Sequence, residues 1–131
     1  MVAYKGLDGL VLCVIEGKIN VERWISSIDM LDHSVINYDE IVDSVNNLLN
    51  GGLITCKNDK FVLSKTAKEI LRGGWRMGCI EWQLAVQKRI QSFTYDETES
   101  RTFNLSREEY DAALQKYQER VDKFISRMTK Y

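Results

Sequence analysis

The 131-residue chain contains no proline, one histidine and three cysteines. A single histidine excludes a metal centre built from two or three imidazoles within one copy. Cys13, Cys56 and Cys79 are odd in number, far apart and form no CxxC pair, so neither a zinc site nor a redox motif is indicated. Cys13 lies within Leu10–Ile15, the longest apolar run, and is expected to act as a small buried hydrophobe. That run is far short of the ~20 residues that span a bilayer. Residues 1–6 lack the apolar stretch and cleavage site of a signal peptide, so a cytoplasmic location is expected. The pairs Gly51-Gly52 and Gly73-Gly74 lack the spacing of a phosphate-binding loop, and no G-x-S-x-G occurs. No catalytic residue and no cofactor is therefore assigned, and the expectation is a non-enzymatic protein.

Charge is present in quantity but unevenly placed. The formal net charge is only -1. Residues 1–50 nevertheless carry three basic groups against eight acidic ones, and residues 51–76 carry six basic groups against two. Residues 77–131 balance at nine each. An acidic block followed by a basic one points to a binding face set by that asymmetry.

The apolar spacing predicts a mainly α-helical chain. Leu7, Leu10, Val11, Val14 and Ile15 predict a first helix over 4–16, stopped by Gly17. Val21–Asp32 reads as a second helix with Asn20 as its cap and Trp24, Ile25, Ile28 and Leu31 as its stripe. Asn37 with Glu40 forms a capping box opening a third, whose buried face is Ile41, Val45, Leu48 and Leu49. The period then changes. Residues 53–56 and 61–63 are β-prone and flank Lys57-Asn58-Asp59-Lys60, which reads as a hairpin turn. Ser64 caps a short helix ending at Gly73-Gly74, and Ile80, Leu84, Ile90 and Phe93 predict another over 77–93. Thr94–Asn104 reads as a linker, and Ser106 with Glu109 opens a long last helix. Leu10, Val14, Trp24, Ile28, Ile41, Val45, Leu48, Leu53, Phe61 and Leu63 are the expected core.

Three helices, a β-hairpin and a helix resemble a winged helix-turn-helix domain. Residues 45–54, VNNLLNGGLI, are similar to a recognition helix running into the first wing strand. Residues 61–71, FVLSKTAKEIL, are similar to the second wing strand and the helix after it, with Ser64 and Ala67 where many such domains have Thr and Gly. Residues 29–36, DMLDHSVI, resemble a stretch in small uncharacterised bacterial winged-helix proteins. The resemblance spans about residues 4–72. It implies a winged-helix domain over 1–76, followed by a helical C-terminal extension over 77–131.

The fold so implied carries an expectation of DNA binding and transcription regulation. The exposed positions of the recognition helix would be Tyr38, Asp39, Glu40, Asp43, Ser44, Asn46, Asn47 and Asn50, with three carboxylates and no cation. Affinity for DNA comes mainly from neutralising phosphates, so contact is expected through the basic wing, Lys57 and Lys60, backed by Lys65, Lys68 and Arg72. Tyr38, Ser44, Asn46 and Asn47 remain as the candidate base-side residues. The alternative is a protein-interaction adaptor docking a basic partner on the acidic, degenerate recognition helix. Asp29, Asp32 and His33 share a helix face at i, i+3 and i+4, but His33 is expected to serve the helix end, and no metal is assigned. Finally, Tyr110, Leu114, Tyr117, Val121, Phe124 and Met128 form a heptad-like stripe. It is expected to make a homodimer seam or, alternatively, to fold back onto residues 77–93. No membrane partner is expected.

Overall fold

In the computed structural model of the chain, residues 1–96 and 102–129 are described. Their elements, in order, are β1 (Val2–Ala3), α1 (Gly6–Leu12), β2 (Gly17–Lys18), α2 (Val21–Asp32), α3 (Tyr38–Asn50), β3 (Ile54–Lys57) and β4 (Lys60–Leu63). They continue with α4 (Lys65–Ile70), a 3-10 turn at Gly74–Met77, α5 (Cys79–Ile90), β5 (Thr94–Tyr95) and α6 (Arg107–Thr129). The described chain is mainly helical, with two small antiparallel sheets, β1-β5 and β2-β4-β3.

Local polar chemistry sets most of the boundaries. Asn20 Oδ1 accepts from the Arg23 backbone N–H at 3.0 Å and starts α2. Asn37 and Glu40 satisfy one another's backbone N–H groups at 2.9 and 3.0 Å, closing the capping box of α3. Ser64 and Ser106 accept from the N–H groups of Ala67 and Glu109 to open α4 and α6. Asn58 and Asp59 both have positive φ, 52° and 59°, as a two-residue hairpin loop between β3 and β4 requires.

The first helix is shorter than its apolar spacing predicts. It begins at Gly6 because the Asp8 carboxylate accepts the Lys5 backbone N–H at 2.9 Å, which leaves Tyr4 outside. It stops at Leu12, and Gly17, at φ 94°, turns the chain into β2. Arg23 donates to the carbonyls of Glu16 and Lys18 and holds that strand against the start of α2. β2 pairs with β4, so the hairpin gains a third strand that the periodicity did not mark.

Of the expected core, nine residues are buried and Val14 is half-buried at the edge. Trp24 and Phe61 stack with ring centroids 5.8 Å apart. Phe103 meets both rings at 5.9 and 5.7 Å, so the tail of the expected linker belongs to the core. The rest of that linker divides: Thr94 and Tyr95 pair with β1, and residues 97–101 lie outside the described residues.

Residues 77–131 pack extensively on the first 76. α5 lies on α1, β5 pairs with β1, and α6 runs against α2. Gly9 permits the first contact: a Cβ there would sit 2.9 Å from the Gln87 Cα. The inward face of α5 is only in part the one its apolar residues predict. Ile80 and Leu84 are 61% and 57% exposed, and Phe93 is exposed as well. Ile90 is buried as expected, and Gln83 and Val86 complete the inward face. The polar Gln83 disguises that face, because its Nε2 donates to the Leu31 carbonyl at the end of α2 at 2.6 Å.

The last helix also departs from expectation. It folds back onto α2 rather than onto residues 77–93. Tyr110 donates to the Ile36 carbonyl at 2.6 Å, the Tyr117 hydroxyl donates to Asp29, and Arg120 pairs with Glu22 at 2.8 Å. α2 offers carboxylates to these groups and the α2–α3 connection a carbonyl, whereas the buried face of α5 is already against α1.

Candidate nucleic-acid interface

The antiparallel register of the three-stranded sheet brings three lysines into one line. Lys18 on β2 stands opposite Lys60 on β4, which stands opposite Lys57 on β3. Directly paired residues share a face, and all three are exposed. Strand alternation then places Thr55 and Val62 on the same solvent face, while Ile54, Phe61 and Leu63 turn into the core. None of the three lysines makes an ion pair with another described residue. Like charges directly opposite one another destabilise a sheet, so this row costs stability unless an anion lies across it.

Lys65, Lys68 and Arg72 follow at i, i+3 and i+7, on α4 and just beyond it, and all are exposed. They extend the basic stretch without joining the row. Lys18 is the member that the sequence reading did not include. Its only signal was the short extended stretch between two helices, too brief to show a β period.

The residues expected to face bases from α3 are occupied elsewhere. Asn47 donates through Nδ2 to the Asp8 carboxylate at 3.3 Å and accepts the Tyr95 hydroxyl at 3.1 Å. Asn46 Oδ1 accepts the Phe103 backbone N–H at 2.7 Å. Tyr38 is half-buried, donates to the Leu105 carbonyl at 2.6 Å, and sits edge-on to Tyr110 with Arg107 over its ring. Ser44 is 2% exposed. The solvent face of α3 is left to Asp39 and Asp43, one turn apart and exposed, with half-buried Glu40 beside them in its capping box.

The candidate ligands at the end of α2 are likewise engaged. Asp29 accepts from Tyr117, and Asp32 accepts the Ser34 hydroxyl at 2.7 Å. His33 terminates the helix in the left-handed conformation, φ 54°. Among the described residues, no group of three His, Cys, Asp or Glu side chains is placed to hold a metal ion.

The expected dimer stripe divides in two. Tyr110 is buried, Leu114, Tyr117 and Val121 are half-buried, and Phe124 and Met128 are exposed. Burial pushes the Tyr110 hydroxyl up from its usual range, and the hydrogen bond to Asp29 raises Tyr117 to about 12. Cys13 is half-buried, and desolvation pushes its thiol to about 12.

Among the described residues no helix is long and apolar enough to cross a membrane. In comparisons with known proteins, no family model, no curated protein and no solved structure matches the chain.

Proposed function

We propose that the chain is a non-enzymatic winged helix-turn-helix protein that contacts DNA through the phosphate backbone, using the outer face of its β2-β4-β3 sheet as a basic wing. The order helix, short strand, two helices and hairpin, with the short strand added to the hairpin, supports the winged-helix reading. The row Lys18–Lys60–Lys57 carries the functional one: three cations without an ion-pair partner among the described residues are held in line by strand pairing, as phosphate neutralisation requires. The internal bonds of Asn46 and Asn47 argue against base reading by α3, so the contact positions the protein without specifying sequence. Such a protein would act in transcription or in DNA organisation through low-specificity contacts. The test is a fluorescence anisotropy titration of generic duplex DNA at low and moderate salt. Lys57→Glu/Lys60→Glu weakens binding and flattens its salt dependence if the wing is the contact. Binding unaffected by that change refutes the proposal.

A second reading rests on a different observation. Asp39 and Asp43 form an exposed acidic face on α3, which fits an adaptor docking a basic protein partner. Asp39→Asn/Asp43→Asn separates the two readings, because it strengthens DNA binding under the first and weakens a basic partner under the second.

A further inference from the structure

The C-terminal half of α6 presents two stripes side by side. Lys116, Arg120, Lys123 and Arg127 recur at i, i+4, i+7 and i+11, which is one ridge of a helix. All four are exposed, and of these only Arg120 has a described ion-pair partner, Glu22. Alongside runs an apolar stripe that the described residues leave uncovered: Phe124 is 63% exposed and Met128 64%, with Ile125 at its margin. Of the acids of this half, Glu119 borders the basic ridge one turn from Lys116 and Lys123, on the side away from the apolar stripe, and Asp122 lies beyond it, so neither flanks the stripe. Across from the stripe, Met30 of α2 is 75% exposed. Ser26, Met30, Tyr117, Arg120, Val121 and Phe124 line a groove of about 520 Å³ between α2 and α6. That is room enough for one or more large apolar side chains.

We infer that this groove docks a segment of another protein that carries large apolar and acidic side chains on one helical face. Charge complementarity selects that occupant. An apolar knob enters beside Phe124 and Met30, while flanking carboxylates meet Lys123 and Arg127 on the rim. A second copy of the chain fits less well. Antiparallel pairing of two α6 helices about a two-fold axis sets basic ridge against basic ridge. Parallel pairing has only about two turns of free stripe, since Tyr110 faces the α2–α3 connection and Tyr117 faces α2.

The experiment uses the full chain and two fluorescein-labelled synthetic peptides of about 20 residues, long enough to be helical. Both carry leucine at i, i+3, i+4 and i+7; one has glutamate on the flanks and the other lysine. The glutamate peptide gives saturable anisotropy binding. Phe124→Ser and, separately, Lys123→Glu/Arg127→Glu each weaken it about tenfold or more, with unchanged far-ultraviolet circular dichroism, since all three positions are exposed. The charge-reversed variant shifts preference to the lysine peptide. The inference is overturned by absent binding, by equal binding of the two peptides, or by binding that survives both variants. It is also overturned if phosphatidylglycerol vesicles or duplex DNA compete for the same variant-sensitive site. Sedimentation showing a dimer that Phe124→Ser dissociates assigns the groove to a second copy and likewise overturns it.

Discussion

Asn47→Ala separates a structural asparagine from a base-reading one. Asn47 bridges α1, α3 and β5, because one amide group serves both the Asp8 carboxylate and the Tyr95 hydroxyl. Asp8 is 1% exposed, and its remaining described donor is the Lys5 backbone N–H. A hydrogen bond to a charged group contributes about 1.5–3 kcal/mol. Losing it from a buried carboxylate, together with the tyrosine contact, should cost roughly 2–4 kcal/mol. For a domain of this size that is about 10 °C in Tm. Urea unfolding followed by tryptophan fluorescence measures it, with an unchanged m-value showing that the denatured state is not altered. Asp43→Ala on the exposed face of the same helix is the control and should stay within about 0.5 kcal/mol of the parent. The reasoning is refuted if Asn47→Ala unfolds at the parent midpoint. It fails equally if that variant keeps its stability while losing affinity for DNA, since Asn47 would then be reading bases.

Leu48 is fully buried, so Leu48→Ala should cost roughly 2–5 kcal/mol by chemical denaturation, and a loss under 1 kcal/mol would contradict the packing described. Lys60→Gln removes the central like charge of the row and should leave stability unchanged or raise it by about 0.2–1 kcal/mol, while lowering DNA affinity; a destabilised variant would mean that the row has an unseen counter-charge. The pKa of Tyr117 is raised in the folded state, so its hydrogen bond to Asp29 contributes fully below about pH 10, where the unfolded phenol is protonated. That contribution should disappear as pH climbs through about 12. Alkaline titration of Tyr117→Phe against the parent should show the difference in stability shrinking across that window, and a constant difference would place the interaction elsewhere.

The parts of the fold legible in the sequence are those fixed by short-range chemistry. Asn20, Asn37 and Ser64 announce their helices because a cap is a contact over three residues. The Asn58-Asp59 turn is equally local, since two residues at positive φ close the hairpin by themselves. What escaped was decided by distant partners. Ile80 and Leu84 make the better apolar stripe on α5, yet the helix turns Gln83 inward, because only the folded chain offers it the Leu31 carbonyl. β2 is two residues long and exists because β4 lies beside it. The candidate site follows the same division. Lys57 and Lys60 are readable as a wing from the turn between them, whereas Lys18 joins them only through strand pairing. Tyr38, Ser44, Asn46 and Asn47 look free on a helical wheel of α3 alone. Residues 102–110, β5 and α1 claim Tyr38, Asn46 and Asn47, and all of these lie 39 or more positions away in sequence.

The salt dependence of duplex binding tests the proposed backbone contact most directly. Each phosphate neutralised contributes about -0.9 to the slope of log affinity against log salt, so three lysines acting together contribute about -2.7. Two unrelated duplexes should bind the parent chain with similar affinity and the same slope. Lys18→Gln/Lys57→Gln/Lys60→Gln should flatten that slope by about 2.7 for both. A slope that the triple change leaves intact, or affinities that differ by orders of magnitude between the two sequences, would contradict a contact made by this row alone.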